Sequence, residues 1–316
     1  MQHRRFGSTD VTLSVVGLGT WAFGGAGWVA SFGPQDDEES MRTIHASLEA
    51  GVSWIDTAQV YGLGHAERVV GRALRGRRRD EAFVATKSVE RFDGDGRLFM
   101  GGTRAAVRTD LEASLRRLDL DHVDLLQIHG RPTDVPIEET WSAYAELAGE
   151  GKVRFVGTSN LSTDEVRRCD TIRTVDSVQP PYNLLDRGVE DDLLPYCRER
   201  GIAILAYSPL ASGLLSGHFD ASTLAEDDWR RADAAFAGRV PVAARLARAL
   251  RPLLQELGLT LRELAVLWVL AAPGVTSAVV GARSPAHAEE NAAIGSTTAP
   301  PDLRARVEDA LRRHGS

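Results

Sequence analysis

Eight short apolar runs, each followed by an amphipathic segment, predict that this chain of 316 residues folds as an α/β protein, a closed (β/α)₈ barrel in a single domain spanning 1–316. Three observations carry the expectation. The alternation is unbroken by any Pro/Ser linker or low-complexity tract. Eight βα units in about 300 residues match the size of such a barrel. Polar residues also collect at the C-terminal ends of the apolar runs, at Asp56, Lys87, His129, Ser159, Gln179, Ser208 and Arg283. A barrel builds its site from that end of every strand, whereas a doubly wound open sheet, the other arrangement considered, would gather such residues at one switch point.

The first strand is expected in "LSVVG" at 13–17, running into Gly17, Gly19 and Ala22 in the order G-x-G-x-x-A. A Rossmann turn of that form needs a helix to begin at once. Here Gly24, Gly25, Gly27 and Gly33 weaken any helix and Pro34 bars the residue before it, so the first helix is expected at "DDEESMRTIHASLEAG", 36–51. The fingerprint is therefore not a Rossmann turn. Further strands are expected at "VSWID" 52–56, "AFVATK" 82–87, "VDLLQIH" 123–129 and "VRFVGTS" 153–159. The last three are "TVDSVQ" 174–179, "IAILAYS" 202–208 and "TSAVVG" 276–281. Between them lie helical patterns with caps or glycine stops, such as "GGTRAAVRTDLEASLRRLD", "IEETWSAYAELAGEG", "STDEVRRCD" and "LRELAVLWVLAA".

Composition excludes several classes of function. A hydrophobic content of 43% supplies a sizeable core, yet no apolar run reaches spanning length, so no membrane partner is expected. "MQHRRFGSTD" lacks the apolar region of a signal and reads as cytoplasmic sequence. Cys169 and Cys197 form no framework and suit a reducing compartment, and no metal site is expected. A net charge of −7 gives no electrostatic footprint for nucleic acid; the one basic run, "RGRRRD" at 75–80, reads as a solvated helix end. Oligomeric state is left open.

Asp56, Lys87 and His129 close three successive strands, and Tyr61 follows Asp56 by five residues. Neighbouring strands lie about 4.8 Å apart, so these side chains can converge within roughly 10 Å. Singly, each has an ordinary structural reading: a loop cap, a snorkelling lysine, a core histidine. Together at one face they suggest proton transfer, because a tyrosine beside a buried ammonium becomes a usable proton donor or acceptor, and the carboxylate keeps that ammonium charged and in place.

The segments "WIDTAQVYG", "FVATK" and "LLQIH" resemble the catalytic segments of the aldo-keto reductases. "GKVRFVGTSN", "VQPPYNLLDR", "YSPLASGLLSG" and "GARSPAHAEEN" resemble their cofactor segments, in order, so that the resemblance runs from about residue 4 to 294. It implies carbonyl reduction with a nicotinamide cofactor, NADP(H), and a small-molecule carbonyl substrate. Tyr61 would be the general acid, with Lys87 lowering its pKa, Asp56 pairing with Lys87, and His129 orienting the carbonyl oxygen. Gly19, Thr20 and Trp21 would touch cofactor and substrate, and Asp56 would also border the cofactor. Ser159, Asn160 and Gln179 would grip the carboxamide, and Tyr207 would offer a flat stacking surface. Ser208, Pro209, Leu210, Gly213 and Leu214 would lie along the pyrophosphate. Gly281, Arg283, Ser284, His287, Glu290 and Asn291 would hold the adenosine end, Arg283 meeting the 2′-phosphate bidentately.

Two departures from the family pattern bear on the adenosine end: His287 stands where relatives commonly carry Gln, and His218 where Lys is frequent. A redox-sensing binding subunit and a barrel lyase or isomerase are the alternative functions; the lyase would leave Gln179, Tyr207 and Arg283 unexplained. Two long loops are expected to shape the substrate pocket, "SVERFDGDGRLFMGG" at 88–102 and the segment from Ala211 to about Pro241. With the chain ending soon after its last helix, in "PPDLRARVEDALRRHGS", the pocket is expected to be open at its rim, lined by Trp21, Tyr61 and residues of the 88–102 loop, and tolerant of varied aldehydes.

Overall fold

Eight parallel strands close on one another in the computed structural model, which describes residues 1–76, 81–93 and 97–314. Around the barrel these are β3 (Val16–Gly19), β4 (Trp54–Asp56), β5 (Phe83–Ser88), β8 (Val123–Ile128), β9 (Val153–Ser159), β10 (Ser177–Gln179), β11 (Ala203–Tyr207) and β12 (Val275–Gly281), with β12 returning to β3. Consecutive βα units are neighbours throughout, as right-handed crossovers require. Arg77 to Asp80 of the basic run lie outside the described residues.

The first expected strand divides in two. Thr12–Ser14 (β2) pairs antiparallel with His3–Arg5 (β1), and the barrel strand β3 begins only at Val16. The division has a packing purpose: the hairpin brings Phe6 and Leu13 into a cluster with Trp54, Phe83, Leu125 and Leu205 that fills the barrel interior. Phe6 lies 5.5 Å from Phe83 and 5.3 Å from Phe155, ring centre to ring centre. Each buried ring of this kind contributes about 1.5–3 kcal/mol by leaving water, so the apolar end of the barrel is closed and the polar end is left for chemistry.

Local sequence explains the helices. In α1 (Asp37–Glu49) the Asp36 carboxylate accepts from the Glu39 amide at 2.8 Å, and three acidic residues fill the first turn. Thr103 caps α3 (Arg104–Leu118), and capping boxes open α5 (Thr163–Ile172) at Ser162/Glu165 and α9 (Leu261–Leu270) at Thr260/Glu263. The remaining helices are α2 (His65–Ala73), α4 (Ile137–Gly149), α6 (Leu193–Arg200), α7 (Trp229–Ala232), α8 (Ala234–Leu257), α10 (Pro285–Ser296) and α11 (Leu303–His314).

Both long loops carry structure that periodicity did not show. The first forms a hairpin of β6 (Glu90–Phe92) and β7 (Leu98–Met100). The second ends early, because Asp233 accepts from the Phe236 amide at 2.6 Å and starts α8 at Ala234, leaving Pro241 inside the helix. The G-x-G spacing also finds its reason here. A Cβ on Gly17 would stand 2.0 Å from the Trp54 indole, so Gly17 is a packing glycine; only a short 3-10 turn, Trp21–Gly24, follows it.

Candidate active site

Strand register places the site. Asp56 ends β4 opposite Gly19 on one side and Ala85 on the other, and Lys87, two residues past Ala85, shares its inward face. Lys87 Nζ donates to Asp56 Oδ2 at 2.6 Å, to the Thr57 carbonyl at 3.0 Å and to Tyr61 Oη at 3.3 Å. Asp56 Oδ1 accepts from Gln179 Nε2 at 2.8 Å and from Gln127 Nε2 at 3.5 Å. Asp56 and Lys87 are buried, at 3% and 1% exposure, so the two form a buried ion pair with each charge hydrogen-bonded.

Tyr61 closes this chain at the mouth of a cavity of about 440 Å³. Its ring stacks on Trp21 at 5.9 Å and meets His129 edge-on at 5.7 Å. Burial pushes its phenol well above the usual tyrosine range, and the charges of Asp56 and Glu90 push the same way. The Lys87 ammonium stands 3.3 Å from the phenol oxygen. His129 turns Nδ1 to within 2.5 Å of Glu90 Oε2. Although burial opposes it, contact with His129, aided by Lys87, leaves Glu90 below the usual carboxylate range.

The same cavity is lined by Gly19, Thr20, Trp21, Asp56, Ser159, Asn160, Gln179 and Tyr207, and farther along by Ser208, Pro209, Leu210, Gly213, Gly281 and Arg283. Thr20 is pinned to the Asp56 carbonyl through both its amide (3.0 Å) and its hydroxyl (2.9 Å). Asn160 Nδ2 donates to the His129 carbonyl at 2.8 Å, and Asn160 Oδ1 accepts from Tyr207 Oη at 2.9 Å. Ser159 Oγ donates to the Gln179 carbonyl at 2.7 Å. Burial pushes Tyr207 up to about 12, so it presents a neutral ring to the cavity.

Leu214, Ser284, His287, Glu290 and Asn291 do not line this cavity. Leu214 is buried in the core. Ser284 caps α10 by accepting from the His287 amide at 3.3 Å. Glu290 and Asn291 are both held by Arg262, Asn291 Oδ1 at 2.6 Å. Arg283 is already engaged: Nε donates to Gln35 Oε1 at 2.9 Å, Nη1 to the Phe32 carbonyl at 3.0 Å, and Nη2 to the Pro34 carbonyl.

Trp28, Ala30 and Phe32 of the glycine-rich segment escaped the sequence reading as cavity residues, whereas Glu90, Ser212 and Arg230 fall in the two loops expected to shape the pocket. The aromatic residues of the glycine-rich segment were the available signal. Arg230 stands 4.9 Å over the Phe32 ring and donates to the Ser212 carbonyl at 3.0 Å.

A nicotinamide dinucleotide suits this donor set. Ser208, Ala211 and Ser212 all have positive φ (52°, 48° and 56°) beside Gly213 at 100°, a strained left-handed stretch of the kind that presents backbone to an anion. The amide and hydroxyl groups at 159, 160 and 179 are acceptors and donors of the size a carboxamide needs.

Comparison with known proteins agrees with this geometry. The family model described as the Aldo/keto reductase family matches residues 15–312. The chain is 36% identical over 295 residues to the aldo-keto reductase YhdN of Bacillus subtilis, covering 92% of this chain and 87% of that protein. It is 34% identical over 327 aligned positions to an NADH-specific methylglyoxal reductase of Escherichia coli, covering 97% and 98%. The solved structure of the glycerol dehydrogenase AKR11B4 from Gluconobacter oxydans superposes with a TM-score of 0.87 at 35% identity, over 99% of this chain and 95% of that one. The barrel, the buried Asp56–Lys87–Tyr61 chain at its mouth and these matches lead to one conclusion: the chain belongs to the aldo/keto reductase family.

Proposed function

We propose that the protein is an NADP(H)-dependent carbonyl reductase whose proton donor is Tyr61. The observation that carries this reading is a buried phenol with Lys87 Nζ 3.3 Å from its oxygen, facing the cavity. The nicotinamide, when bound, supplies the hydride that reduces the carbonyl carbon. Tyr61 Oη gives its proton to the carbonyl oxygen as that oxygen gains charge, and Lys87 stabilises the phenolate left behind. Asp56 holds the Lys87 ammonium in place through their 2.6 Å contact, and His129 orients the carbonyl. Ser159, Asn160 and Gln179 fix the carboxamide edge, and Tyr207 the ring face.

Preference for the 2′-phosphorylated cofactor rests on Arg283 at the far end of the cavity, with Arg230 nearby. A 2′-phosphate would offer the Arg283 guanidinium an anionic acceptor in place of neutral oxygens, and the bond to an anion is the stronger. Two buried free thiols, Cys169 and Cys197, support a cytoplasmic setting.

The test is consumption of NADPH with small aromatic and aliphatic aldehydes. Turnover is expected with KM toward about 1 mM, since few fixed contacts grip the remote part of a substrate. Tyr61→Phe should lower kcat at least about 100-fold, while the cofactor dissociation constant, read by tryptophan fluorescence, stays near wild type. A Tyr61→Phe protein keeping more than about a tenth of kcat contradicts the assignment of the proton donor.

A further inference from the structure

One carboxylate on the cavity wall has no place in the chemistry above. Glu90 follows Val89, a β-branched, fully buried residue at φ 86°, a conformation such residues almost never adopt. The strained turn is over-determined. The Val89 amide donates to Asp110 Oδ2 at 3.2 Å, and the Val89 carbonyl accepts from the Gly101 amide at 2.9 Å. Gln59 Nε2 donates to the Glu90 carbonyl at 3.0 Å, and Arg91 Nε donates to Asp110 at 3.1 Å. All this fixes one outcome: the Glu90 side chain is turned over the barrel mouth, onto His129 and into the cavity.

The charges around it decide what that carboxylate does. Lys87 and Asp56 neutralise each other behind Tyr61, which is held protonated. His129 faces Glu90 through Nδ1. Among the described residues lining the cavity, the arginines are Arg230 and Arg283. The first is bound to Asp228 and the Ser212 carbonyl, the second to the Phe32–Gln35 segment. A carboxylate carried by a substrate would therefore lie beside ionised Glu90, with both arginines engaged elsewhere. A neutral substrate meets no such repulsion, and a hydroxyl beside its carbonyl gains an acceptor.

Resting on the carbonyl reductase reading, we infer that Glu90 is a specificity-determining residue: it admits neutral carbonyl compounds, hydroxylated ones included, and disfavours those that carry a carboxylate into the cavity. The test compares kcat/KM for methyl 4-formylbenzoate and 4-formylbenzoate, near-isosteric aldehydes differing by one charge, at saturating NADPH. Wild type should favour the ester about tenfold or more, the size Coulomb's law gives for like charges about 10 Å apart at an effective dielectric of about 20. Glu90→Gln should shrink that ratio about fivefold or more, and Glu90→Asp should keep it. Any loss from a looser His129 acts on both aldehydes and cancels in the ratio. A wild-type ratio within about twofold of unity overturns the inference even if the variants fail to fold, as does an unchanged ratio in a folded Glu90→Gln protein. Turnover of neither aldehyde overturns the reductase reading, and the inference with it.

Discussion

Replacing Lys87 with methionine tests whether the charge pair at the heart of the site is as dry as it looks. Lys87 Nζ and Asp56 Oδ2 are 2.6 Å apart with the two residues 1% and 3% exposed, so Lys87→Met leaves a carboxylate with no counter-charge and almost no water. Breaking a buried pair in this way costs about 3–5 kcal/mol. Gln179 Nε2 at 2.8 Å and Gln127 Nε2 at 3.5 Å still hydrogen-bond that carboxylate, which places the expected cost at the lower end, about 3 kcal/mol. An unfolding entropy of about 2.1 cal/mol/K per residue over 316 residues gives about 660 cal/mol/K, so Tm should fall by about 4–5 °C. The double variant Asp56→Asn/Lys87→Met removes both charges and should recover about 2 kcal/mol of the loss. Thermal unfolding of wild type, both single variants and the double variant, followed by circular dichroism, yields the coupling energy directly. A coupling below about 0.5 kcal/mol would refute the reasoning, since that is the behaviour of a solvated pair.

Coenzyme choice gives a second test. Because Arg283 already bonds to Phe32, Pro34 and Gln35, a 2′-phosphate gains only the margin of an anionic over a neutral acceptor, about 1–1.5 kcal/mol. NADPH should therefore bind about five- to twelvefold tighter than NADH, and Arg283→Ala should remove that margin; equal affinities in the wild type would count against it. Among the glycines, Gly17→Ala drives a Cβ to 2.0 Å from the Trp54 indole, and a loss of about 3 kcal/mol is expected from the urea midpoint. Gly238→Ala, inside α8 with open space around it, should instead gain up to about 1 kcal/mol. Similar midpoints for the two variants would show that packing against Trp54 is not what demands glycine.

What one stretch of chain determines by its own physics is legible in the sequence alone. Period and caps placed the strands and helices, because a helix start such as Asp36 or Ser162 is satisfied by residues three positions away. Once the strands form a parallel barrel, their C-terminal ends face one way, so Asp56, Lys87, His129, Ser159 and Gln179 were legible as one set. Tertiary structure alone decided what depended on partners distant in sequence. Gly17 is glycine because of Trp54 on the next strand, and the run at 13–17 divides because Phe6 and Leu13 are needed inside the barrel. The Tyr61 phenol is pushed above the usual tyrosine range chiefly by burial, which the folded chain alone sets. Arg283, read from its neighbours as a free phosphate clamp, is engaged by Phe32, Pro34 and Gln35 some 248 to 251 residues away. Glu90 reaches His129 only through a strained turn at Val89. Local hydrogen bonding is written in spacing; the competition for one guanidinium or one imidazole is settled only when the folded chain brings its claimants together.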